Sequence, residues 1–433
     1  MTSQVLAHAP PAALPTTGLA GAPKLFALLM ASILLDVGGS FGLKYSATLV
    51  VVGYLALNAR AIRLPASTLR AELALFAVAP ALFLCLSVTA YRVPPRTAVG
   101  SLMFFSAWAV FPLLLAIPRA QLVTIFTRYM YRGALLTLVA FVAIIACYAL
   151  GRLDLITRIN EFAEAYNVGF FGQRPTDGGL KLFVPNVYFR WTMLLIPAAA
   201  CLADDRRRLL PVLLALLCTL STGSVLFGLA GVALVPLADS RVPLGRLARH
   251  ALWLALTVAA VALALAATQY GDVALALGQK LTSGSASTGA KLGHIRSILD
   301  QVFSNPAALL VGSGVGSAFY SVGADGVVTN VEVSHFNLLR QFGIVYTLLF
   351  VAYVGGVFAG LLRSDGAGRR LGVGLAMIFL AAGTNPLLLS PVFFLVLVLG
   401  RAYLADWARE RGAEGPPRRG PAPLAGPVAA AHG

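Results

Sequence analysis

The chain has 433 residues, 58% of them hydrophobic and only 12% charged, with a formal net charge of +16. A water-soluble domain carries about twice that charged fraction, so a soluble enzyme is excluded. Nucleic-acid binding is excluded too, because the arginines sit in short loops between apolar runs and no basic domain with interleaved aromatic residues accompanies them.

Residues 1–23, rich in Ala and Pro, lack the charged-then-apolar order of a signal peptide and read as a disordered cytoplasmic tail. Residues 24–408 read as one all-α membrane domain, a polytopic transmembrane helical bundle. Twelve spans can be drawn, at 24–40, 45–59, 71–90, 98–117, 133–150, 187–203, 208–221, 224–238, 250–268, 335–361, 371–384 and 386–405. Barrel strands would alternate in ~10-residue segments, and no such alternation is present. Residues 409–433 read as a second disordered cytoplasmic tail.

Loop charge orients the bundle. Arg60, Arg63 and Arg70, then Arg119, Arg128 and Arg132, then Arg206, Arg207 and Arg208, fall on one side with the triplets near 241–249 and 363–370. The positive-inside rule makes that side, and both termini, cytoplasmic. Two loops on the other side, 151–186 and 269–334, are too long to be connectors, and loops of this length are usually functional. The chemistry is therefore expected to face outward. Within the second loop, "GAKLGHIRSILDQVFSNP" predicts a helix with Leu292, Ile295, Leu299 and Val302 on one stripe, ended at Pro306. "VGSGVGS" then makes a glycine-rich turn. It fits no P-loop or dinucleotide fingerprint.

Cys85, Cys147, Cys201 and Cys218 lie in or beside apolar runs without a CxxC, and the five histidines are scattered, so no metal site is expected. Ionisable groups inside spans are costly and are functional candidates by default. Arg190 stands just inside the sixth span and Arg340 just inside the tenth. Each could instead snorkel to lipid phosphate. Asp36 lies in the first span, near its outer end. Arg174 sits in a nearly neutral loop, and Arg296 can serve a substrate or pair with Asp300 one helical turn on. Glu332 and His335 are three residues apart, so on a helix they share a face. If the helix begins near Ser334, Glu332 is left on the loop. A carboxylate or imidazole at a membrane mouth suits general-base work. It can also stabilise a helix N-terminus.

Four stretches in this order resemble the O-antigen ligase and polymerase family, which includes the Wzy-type polysaccharide polymerases. They are "GQRPTDGGLKLFVPNVYFRW", "LSTGSVLFGLAGVAL", "HIRSILDQVFSNPAALLVGSGVG" and "VEVSHFNLLRQFGIVYTLLF", with "GTNPLLL" beyond. Ser224 and Val225 stand where the family has an arginine after the serine. Glu332 stands at the distance from Gly343 where ligases place a histidine. The resemblance therefore implies a polymerase before a ligase that transfers glycan to lipid A core. A lipid or sugar transporter is the competing class. The resemblance implies a GT-C-like architecture in a bacterial inner membrane and metal-independent, inverting glycosyl transfer at the periplasmic face, with no cofactor. It implies undecaprenyl-diphosphate-linked oligosaccharides as substrates, for O-antigen, capsule or exopolysaccharide, amid membrane lipids. A flippase and a chain-length regulator are implied partners. Carried onto this chain, it assigns the diphosphate to Arg174, Arg190 and Arg296, with Arg340 a further candidate. Glu332 is the first choice of base and His335 the second.

Overall fold

A computed structural model describes residues 19–36, 40–61, 66–175, 181–238 and 286–413. Residues 1–18 and 414–433 of the two tails, the span at 250–268, and Lys280 with the Ser/Gly segment after it lie outside the described residues, as does the side chain of Arg174, whereas 409–413 continue the last helix. The described chain is mostly helical. By length and composition, five of its helices can cross a membrane: Arg70–Thr89, Pro95–Leu115, Arg119–Ala149, Ser334–Arg363 and Pro391–Arg411. The helices Ala22–Leu35, Leu43–Leu57 and Gly223–Ala238 are apolar but shorter.

In chain order we label α1 Ala22–Leu35, α2 Leu43–Leu57, α3 Arg70–Thr89, α4 Pro95–Leu115, α5 Arg119–Ala149 and α6 Leu153–Ala165. A hairpin follows, β1 Gly169–Pro175 and β2 Lys181–Phe189, then α7 Leu195–Cys201, α8 Arg206–Cys218 and α9 Thr222–Ala238. After the undescribed stretch come α10 Ala286–Phe303, α11 Pro306–Val311, β3 Phe319–Ser321 and β4 Gly326–Val328. The chain closes with α12 Ser334–Arg363, α13 Gly366–Ala381 and α14 Pro391–Ala413.

The sixth expected span, 187–203, is not one helix. Its first residues belong to β2, and a 3₁₀ turn, Arg190–Leu194, precedes α7. "KLFVPNVYF" is rich in β-branched and aromatic residues, which suit a pleated surface. It also has a partner: Phe170 pairs with Tyr188, and Arg174 with Leu182, around a bulge after Phe171. Asn160 on α6 fastens this hairpin, accepting from Phe171 N at 3.0 Å, and Gln173 donates to Thr157 Oγ1 at 2.9 Å. The fifth span begins well before the expected position, at Arg119.

Residues Trp191–Ala200 are all buried, most of them completely. A short helix that is apolar on every side belongs inside a bundle. Here α7 packs against α5, α9 and α13. At the arginine-rich end, Arg119 pairs with Asp365 at 3.2 Å, and its backbone N–H donates to Asp406 Oδ2 at 3.0 Å. Asp365 also accepts from Gly368 N, capping α13. The helices α5, α13 and α14 are thereby tied at one end. Inside the apolar bundle, Arg401 Nε donates to Glu72 Oε1 at 2.7 Å, joining α14 to α3.

The loop 286–333 forms a unit around Ile298, Val302, Phe319, Val331 and Val333. The expected helix exists as α10, and of its expected stripe Val302 is buried and Ile295 packs against this unit. Ile298 and Val302 are enclosed, whereas Leu292 is 62% exposed. Asn305 caps α11, accepting from Ala307 N at 3.0 Å, and Pro306 opens that helix. The glycine-rich turn then meets α12 backbone to backbone. Gly312 (φ 81°) and Gly343 (φ 75°) both adopt left-handed backbone, and a Cβ on either would fall on the other segment's main chain. Gly343 thus interrupts α12, and Ser313 N donates to the Arg340 carbonyl at 2.7 Å.

Candidate functional site

A cavity of ≈ 750 Å³ opens at the end of the bundle where α12 and α14 begin, opposite the Arg119–Asp365 cluster. Its wall draws on widely separated parts of the chain: Asp36 and Lys44, the hairpin residues Asn186 and Tyr188, Arg190, Ser221, Glu332, and Asn385 with Pro386. The rest of the lining is largely apolar, with Ile33, Leu194, Val392 and Leu395. Such a combination of apolar lining and a few placed polar groups is the usual make-up of a ligand site.

Each polar group is held by local structure. Asp36, fully buried, accepts from Phe41 N at 3.1 Å and Lys44 N at 3.3 Å, so it shapes the turn that delivers Lys44. Arg190 leaves β2 at the start of the 3₁₀ turn, where its N–H donates to the Val168 carbonyl at 3.2 Å. Among the described residues, no carboxylate pairs with its guanidinium. Burial pushes the Tyr188 phenol up to about 12, with Arg190 pulling down and Glu332 pushing up by smaller amounts. The phenol therefore stays a hydrogen-bond donor at neutral pH. Asn186 is 1% exposed, and its Oδ1 has no partner among the described residues. Ser221 follows Leu220, a non-glycine residue at φ 47° in the turn between α8 and α9.

Glu332 lies outside α12, which begins at Ser334. Its carboxylate stands 3.5 Å from Lys291 Nζ and is more than half exposed. It lines the large cavity and also a neighbouring one of ≈ 460 Å³, which is walled by Lys291, His294, Asn330 and Pro386. Burial lowers the His294 imidazole below its ordinary value, opposed by the charge on Glu332, and its Nδ1 lies 2.5 Å from Ser321 Oγ. Glu332 therefore stands at the boundary of two chambers with a cation on each side.

The other sequence candidates separate from this group. His335 sits in the first turn of α12, its ring edge-on to Phe379 at 4.6 Å and its Nε2 buried without a partner. It lines neither chamber and does not pair with Glu332. Arg340 is fully buried. It donates to the Ser317 carbonyl at 3.0 Å, Ser317 Oγ at 2.9 Å, the Thr329 carbonyl at 2.9 Å and Asn337 Oδ1 at 3.1 Å, over the face of Phe319. It neither snorkels nor faces a chamber. Arg296 is 81% exposed, 4.0 Å from Asp300 on the outer face of α10. Sequence reasoning passed over Lys44, Asn186 and Asn385. Lys44 carried a signal, since it is a lone cation between two apolar runs. Lys291 carried no signal beyond that of a lysine beside a Gly/Ser-rich loop. No family model matches the chain, and no curated protein matches it by sequence.

Proposed function

We propose that this protein is an integral membrane polysaccharide polymerase, joining repeat units carried on a polyprenyl diphosphate. The observation that carries the reading is the convergence on Glu332. Two chambers meet at one carboxylate, and the larger is lined by Arg190 and Lys44 together with apolar residues. The four stretches that resemble the polymerase family, far apart in sequence, each send residues to one of these chambers.

In this reading the donor's diphosphate lies against Arg190 and Lys44, with its lipid along Leu194, Val392 and Leu395. Arginine suits this position because its planar fork matches two phosphate oxygens. The acceptor sugar enters the smaller chamber, beside Asn330 and Lys291. Its hydroxyl oxygen attacks the donor's anomeric carbon while Glu332 takes the proton. The anomeric C–O bond breaks, its electron pair leaves on the lipid diphosphate, and the configuration inverts. The proton then passes to water. Lys291, 3.5 Å away, orients the Glu332 carboxylate. Arg174 belongs to the hairpin that walls the larger chamber, and we retain it as a candidate. The twelve-span count, the GT-C-like architecture and a periplasmic face for both chambers belong to this same proposal.

Complementation of a deletion strain tests it on a glycan gel. A polymerase deletion leaves single repeat units, a ligase deletion leaves polymer off lipid A, and a transporter deletion traps substrate inside. Glu332→Gln should fail to restore polymer while the protein still inserts. Polymer of normal amount from that variant refutes Glu332 as the base.

A further inference from the structure

A third cavity, ≈ 680 Å³, lies behind the segment that carries Glu332. Thr329 lines it, whereas the next residue, Asn330, lines the acceptor chamber. The two are therefore separated by little more than one strand of backbone. Its lining differs in kind from that of the large chamber. Hydroxyls come from Thr97, Ser313, Ser317 and Thr329, and amides from Gln301 and Asn305. No carboxylate lines it among the described residues.

Two of these groups are unsatisfied among the described residues. Ser313 is 9% exposed, and its Oγ has no partner, nor does Gln301 Oε1. Buried polar groups without partners are rare and ask for an explanation. A polyhydroxylated ligand supplies both donors and acceptors to such a wall. The single charge is Arg92, which is exposed and pairs with no carboxylate among the described residues. Arg92 has φ 54°, in the left-handed turn that ends α3, where Val93 N donates back to the Ser87 carbonyl at 2.9 Å. Glycine holds such a turn with less strain, so the arginine is kept there at some cost to the turn.

We infer that this third cavity is a holding site for the growing glycan, and that Arg92 contacts an acidic substituent on it. The inference rests on the polymerase reading. It adds that a chain which has just received a repeat unit stays engaged beside the acceptor chamber, so chain length depends on this cavity.

Two variants test it in the complemented deletion strain. Arg92→Gly removes the guanidinium and relieves the turn, so protein amount and thermal unfolding should match the parent. Ser313→Trp fills the cavity. Each should shift the glycan ladder to chains several-fold shorter, with Arg92→Lys restoring part of the length, and the repeat unit should contain an acidic sugar or substituent. An unchanged ladder from Arg92→Gly overturns the inference while leaving the polymerase reading in place. Shorter chains built from a wholly neutral repeat unit overturn the acidic contact. If deleting the gene leaves the polymer unaltered, the polymerase reading itself fails, and the inference falls with it.

Discussion

The Arg340 guanidinium donates to the carbonyl of Thr329 at 2.9 Å, three residues before Glu332. A second arm of the same side chain holds Ser317, and Asn337, one turn earlier on α12, donates to Asn330 Oδ1 at 2.6 Å. The backbone that presents the proposed base is thus pinned to a transmembrane helix by a buried cation. Arg340 acts through this segment and not on substrate.

That relationship predicts a stability effect. Arg340→Ala takes the donor from the Ser317 and Thr329 oxygens and from the fully buried Asn337 Oδ1, at a cost of ~3 kcal/mol. The denaturation midpoint in detergent should fall accordingly, and Arg340→Lys should rescue little, because an ammonium cannot span the same fork. An Arg340→Ala protein of parental stability that binds lipid diphosphate poorly would return this residue to the substrate site.

The cations should rank by position. Arg190→Ala and Lys44→Ala each remove a charge that faces the large chamber, so polymer should drop at least ~10-fold, as expected for losing a charge-assisted contact of about 1.5–3 kcal/mol. Arg296→Ala should leave polymer near normal, since its guanidinium is exposed beside Asp300. Quantified glycan ladders from the three strains check this. Loss of polymer in Arg296→Ala alone would reverse the assignment.

The Glu72–Arg401 pair predicts a double-mutant cycle. Glu72 is 5% exposed, and its Oε2 has no partner. Removing one charge strands the other inside the bundle, at ~3–5 kcal/mol. Glu72→Leu and Arg401→Leu should each destabilise strongly, whereas the double variant should recover most of the loss. Additive losses would show that the two side chains do not interact.

His294 predicts a pH dependence. Its imidazole is lowered in the fold, so the unfolded chain binds the proton more readily. Stability should be full above the ordinary histidine value of about 6.5 and fall as pH drops below it. Hydrogen exchange over 286–303 and 319–328, corrected for intrinsic rates, should show flat protection down to that pH and a decline beneath it. His294→Asn should abolish the decline. Protection that rises on acidification would reverse the sign.

The membrane character of the chain was legible in its sequence, because apolar run length and loop charge are one-dimensional signals. The helical start near Ser334, the place of α10 and its end before Pro306 were legible too, since each is set by residues within a turn or two, whereas the cap that Asn305 supplies to a second helix was not read. Arg190 and Glu332 could be singled out as costly ions at a membrane mouth. Their meeting was not legible. Lys44, Arg190, Glu332 and Asn385 come together only after α2, β2, α12 and α14 have packed, and no local pattern records that packing. The same limit explains Arg340. Sequence marks a charge as expensive to bury, but whether neutral acceptors from a distant loop satisfy it, or a substrate does, depends on which backbone carbonyls the tertiary fold delivers to it.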